Sequence, residues 1–150
     1  MTDHANDGGT NTKVNTAFWV IGIAALLWNL LGVGNFFFTT NASEATMELM
    51  TEAQRADIEN MPGWMTAIFG IATISGTLAS IALLMKKKWA VMLFLISFVA
   101  VLIQMVHGMF TSEVVKQGGA MAYVFPIVVI GVSGLLWFYS RQCDNKGWLN

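Results

Sequence analysis

Four stretches of this chain are apolar on every face: Ala17 to Phe38, Gly63 to Met85, Trp89 to Phe110 and Ala120 to Tyr139. None shows the single apolar stripe of a helix that packs on a soluble core. None alternates in polarity over about ten residues, as a barrel strand in a membrane does. Each has the roughly 20 residues that a helix rising 1.5 Å per residue needs to cross a hydrocarbon layer about 30 Å thick. The pattern predicts an all-α integral membrane protein, with four transmembrane helices in an antiparallel bundle.

Polar segments separate the spans. The first fifteen residues, MTDHANDGGTNTKVN, are polar and Gly-containing, and are expected to form a flexible cytoplasmic tail. They lack the basic start and short apolar stretch of a signal peptide. The loop between the first two spans carries Glu44, Glu48, Glu52, Asp57 and Glu59 against one Arg55. Two capping patterns inside it, Asn41-x-x-Glu44 and Thr51-x-x-Gln54, predict two short helices. Pro62 then opens the second span, where its missing N–H costs nothing. Lys86-Lys87-Lys88 joins the second and third spans, and cytoplasmic loops collect such cations. With Lys13, Arg141 and Lys146, this places both termini, including a second tail at 141–150, on the cytoplasmic side of the membrane. Residues 16–140 form the membrane domain between the two tails.

Composition supports lipid as the surrounding solvent. Of the 150 residues, 55% are hydrophobic and 11% charged, against about 25% charged in soluble proteins. A net charge of −1 gives no field that would attract nucleic acid. Cys143 is the single cysteine, so no disulfide forms within the chain. The spans contain no Asp, Glu, Lys, Arg or Cys, which leaves no pair of groups for acid–base or nucleophilic catalysis. One His in a span does not make a metal or haem ligand set. No enzyme activity, catalytic residue, cofactor or metal is therefore expected.

Two sets of residues within the spans stand out. Ala72, Gly76 and Ser80 recur every four residues on the second span and, with Gly32 on the first, offer faces on which another helix can pack closely. The partner is either the same chain or a second copy. Asn29, Asn35, Gln104 and His107 are polar groups that need partners in hydrocarbon. Counted from span midpoints, Asn29 lies near the centre, Gln104 about 7 Å outward, and Asn35 and His107 about 11 Å outward. Gln104 and His107 share a helical face, as do Asn29 and Asn35. If those faces meet, they hold helices together or line a cavity open to the outside, which Tyr123, Thr66, Ser133 and a kink at Pro126 would complete.

Several pieces taken together resemble a known family: Trp28-Asn29-Leu30-Leu31-Gly32, the acidic loop ending in Pro62-Gly63-Trp64, the Gly76-containing span ending in Leu83-Leu84-Met85-Lys86-Lys87, and Ser97 with Gln104. The family consists of small, uncharacterised four-helix bacterial membrane proteins, some labelled "sugar transporter". The resemblance covers residues 16 to 140 and implies a solute-transport role; the polar layer, read from the residues alone, offers Asn29, Asn35, Gln104, His107 and Tyr123 as the ligand-binding residues to test. It carries no functional residue of its own. The second expectation is an accessory or assembly subunit of a larger membrane complex. The bilayer is the expected partner in either case, together with a homo-oligomer or that complex.

Overall fold

The computed structural model describes residues 13–150, and every regular element within them is helical. Residues 1–12, most of the expected first tail, lie outside the described residues. Seven α-helices follow in order: α1 Thr16–Thr40, α2 Glu44–Glu48, α3 Glu52–Glu59, α4 Gly63–Leu84, α5 Trp89–Thr111, α6 Glu113–Gly118 and α7 Val124–Asn145. A 3-10 turn, Gly119–Tyr123, leads into α7. Four helical stretches are long and apolar enough to cross a membrane; they contain α1, α4, α5 and α7.

Local signals set the boundaries. The Asn15 side chain accepts from Phe18 N–H at 3.0 Å and starts α1. Thr51 and Gln54 form the reciprocal capping box expected for α3, with bonds of 3.2 and 3.0 Å. The other predicted cap is corrected. Asn41 ends α1, its amide donating to Phe37 O at 3.1 Å, and Ser43 starts α2 by accepting from Thr46 N–H at 3.2 Å. A Ser two positions on was the better-placed acceptor, because the last carbonyls of α1 had already claimed Asn41.

The fourth span also begins and ends later than the pattern indicated. Gly119, at φ +64°, turns the chain out of α6, and the helix restarts at Val124. Pro126 thus sits in the first turn of α7, the part of a helix that best tolerates its missing N–H. At the far end α7 continues to Asn145, so 141–150 is not a free tail. Gly147, at φ +74°, closes the helix, and Trp148 N–H reaches back to Cys143 O at 3.0 Å. Lys86, at φ +59°, ends α4 in the same way, with Lys87 N–H on Ala82 O at 2.8 Å. These are paired Schellman caps. They interlock, since Lys88 N–H donates to Asn150 O at 2.9 Å and Asn150 N–H to Lys86 O at 2.6 Å.

The long helices pack in sequence: α1 on α4, α4 on α5, α5 on α7. α4 is the most buried of them. One core fills the lysine end, where Phe18, Leu83, Phe94, Cys143 and Leu149 are all at most 2% exposed. A smaller one around Ala72, Ala100 and Val101 sits further along. Outward faces carry Leu, Ile, Val and Phe at high exposure, a surface that suits lipid.

Candidate functional site

The predicted polar layer divides among three places, because α4 lies between the helices expected to meet. Asn29 on α1 turns toward α4, and its amide donates to Ser80 Oγ at 3.2 Å and to its own Ala25 O at 2.8 Å. Ser97 on α5 donates to Ala72 O at 2.7 Å. Gly76 separates the two. A Cβ built there would collide with Asn29 Oδ1 and lie 2.9 Å from Ser97 Oγ. Gly32 likewise meets Thr73 Cγ2 across α1 and α4. The small residues Gly32, Ala72, Gly76 and Ser80 are therefore taken up within one chain. The hydroxyls of Thr73, Thr77, Ser80 and Ser133 bond to carbonyls one turn back on their own helices, which satisfies them without a ligand.

Gln104 and His107 lie elsewhere, in a groove of about 620 Å³ bounded by the start of α4, the end of α5, α6 and the start of α7. Asn60, Thr111 and Pro126 also line it. The His107 ring stands edge-on to Trp64, centroids 5.2 Å apart. Its Nδ1 lies 3.2 Å from Thr111 Oγ1, and that hydroxyl donates to His107 O at 2.9 Å. The single hydroxyl proton serves one of these two contacts at a time, and the tautomer of the ring sets which nitrogen donates.

The other predicted site residues do not join them. Asn35 is exposed and lines a separate depression with Gln54 and Ile58. Tyr123, 40% exposed at the end of the 3-10 turn, is not part of the groove wall. Thr66 borders a shallow apolar depression with Gly70.

One residue that sequence reasoning assigned only to a solvated loop shapes the groove. Asp57 on α3 accepts from Ser112 Oγ at 2.5 Å, Glu113 N–H at 2.6 Å and Val114 N–H at 3.4 Å. It clamps the start of α6 from a different part of the chain. Ser112 adds its own cap to Val115 N–H at 3.2 Å. An Asp 55 positions from its partner leaves no local signal.

Among the described residues no group of three or more His, Cys, Asp or Glu is placed to hold a metal. Fold and surface together define a multi-pass α-helical membrane protein. Comparison with protein-family models, curated proteins and solved structures finds no match for this chain.

Proposed function

We propose that this is a small bacterial inner-membrane protein, an antiparallel four-helix bundle, that binds a small hydroxyl- or amide-bearing solute in the groove at its outer end. The carrying observation is that α5 brings Gln104 and His107 into one groove with Asn60 and Thr111. This set combines donors and acceptors without a fixed charge. Contacts between α1 and α4 pair Gly22 with Leu84, Asn29 with Ser80 and Phe36 with Phe69. That descending register supports an antiparallel arrangement. Orientation follows from charge, since Lys86, Lys87, Lys88 and Lys146 gather at the end away from the groove, and such ends face the cytoplasm.

Transport, which the resemblance to proteins labelled "sugar transporter" would imply, requires a path past the lysine end, and Phe18, Leu83, Phe94 and Leu149 fill that end. Either those groups part, or two copies build the path between them.

Native mass spectrometry of the protein in a detergent without a sugar head tests the binding role. The expected result is a reproducible small mass that is lost when Gln104 and His107 are both replaced by Leu. No bound or bindable solute, and a stoichiometric larger protein instead, would overturn it in favour of an accessory subunit.

A further inference from the structure

The polar groups are a minority in that groove. Met61, Met65, Met105, Met121, Phe125 and Pro126 make up much of the remaining wall. Thioether side chains are unbranched and polarizable, and adapt to irregular apolar shapes. A free sugar or polyol seated there would leave hydroxyls unpaired against them, which disfavours its binding. An alkyl chain would not.

Charge narrows the head group. Among the described residues Asp57 is the only Asp, Glu, Lys or Arg lining the groove, and its carboxylate is occupied by Ser112, Glu113 and Val114. A phosphate head would find no cation. A hydroxyl or amide head finds Asn60, Gln104, Thr111 and the His107 ring.

The way in is from the side. Met121 and Phe125 are 78% and 65% exposed while lining the groove, so its α7 wall is continuous with the lipid-facing surface. Gly108 lines it too, and a Cβ there would meet nothing within 4 Å. The volume falls within the roughly 300–1,000 Å³ of small-molecule sites.

Resting on the reading of this groove as the binding site, we infer that its ligand is a neutral amphipathic molecule. A hydroxyl- or amide-bearing head sits on Gln104 and His107, and a hydrocarbon chain lies along the methionines, entering laterally from the bilayer.

The test uses the full chain in phosphatidylcholine nanodiscs, read by native mass spectrometry on titration with 1-monooleoylglycerol, oleoyl lysophosphatidylglycerol, glycerol and glucose. Saturable binding of one monooleoylglycerol per chain is expected. Replacing Gln104 and His107 together by Leu should weaken it about tenfold or more, the loss of one to two hydrogen bonds. The Cβ of Gly108→Leu enters open space on the groove lining, and the variant should abolish binding while melting no earlier than the unmodified protein. A neutral lipid mass carried through from the native membrane marks the bilayer as the source, whereas binding only after addition marks a free amphiphile; both support the inference. Glucose or glycerol binding as tightly as monooleoylglycerol, and lost in Gly108→Leu, would overturn the amphiphile and leave the solute site standing. Equal binding of the anionic lysophospholipid would overturn it as well. No probe sensitive to Gly108→Leu would end both readings.

Discussion

At the residue scale, Gly76 separates what a sequence can and cannot show. Its spacing with Ala72 and Ser80 marks a close-packing face, but the groups that make a side chain there intolerable, Asn29 and Ser97, come from two other helices. Gly76→Ala must push both of them aside, and overpacking of this kind costs about 1–3 kcal/mol. Gly131 on α7 has nothing within 4 Å of its missing Cβ. Gly131→Ala should therefore be neutral or stabilise by up to about 1 kcal/mol through helix propensity. Thermal denaturation of the two variants in the same detergent checks the contrast, and equal midpoints would contradict it. Removing the Asn29 amide with Asn29→Ala should lower the midpoint as well, by the roughly 0.6–2 kcal/mol of an interhelical bond in lipid.

At the scale of elements, the apolar pattern located four spans yet did not show where the helix of the last one begins and ends. Hydropathy registers residues that prefer lipid, whereas helix ends depend on backbone geometry, and Gly119 and Gly147 at positive φ decide where α7 begins and stops. The same cap turns Trp148 and Leu149 back onto Phe18 and Cys143, with the Trp148 and Phe18 rings edge-to-face at 5.9 Å. Cys143, 1% exposed, is thus a reporter of docking, and a maleimide should label it slowly in the folded protein. Gly147→Val puts a branched side chain at positive φ, which costs about 1–2 kcal/mol, and a shift of that size should raise the labelling rate about 5–30-fold. An unchanged rate would mean that residues 148–150 do not shield the thiol. The clamp on α6 makes a second prediction at this scale. Asp57→Ala should lose about 0.5–2 kcal/mol of capping and speed amide exchange at Glu113 and Val114, while the amides of the α4 interior stay protected.

For the whole molecule, the order of packing was the part least legible in the sequence. The reading that set Asn29 and Asn35 opposite Gln104 and His107 compared depths along the spans and assumed that α1 packs on α5, whereas α1 packs on α4. Depth is one coordinate, and which helix lies beside which is another that helical periodicity does not encode. Charge bears on the remaining one, the direction of the molecule across the bilayer. Lys86, Lys87, Lys88, Arg141 and Lys146 lie within or just beyond the turns that close α4 and α7, with cations over the rings of Trp19, Trp137 and Trp148 at 4.8–5.7 Å. The glutamates of α2 and α3 lie in the loop next to the groove. Translocating a cluster of lysines is opposed during insertion, so that end should stay inside. In a Cys143→Ser background, Glu52→Cys should react with a membrane-impermeant maleimide in intact bacterial cells, and Lys87→Cys only after lysis. The two positions are exposed, so burial would not mimic protection by the membrane. The reverse pattern would turn the groove toward the cytoplasm, and its ligand would then have to come from the inner leaflet or the cell interior. Labelling of both in intact cells would mean that the lysine turn crosses with the rest, and the four-span topology itself would fall.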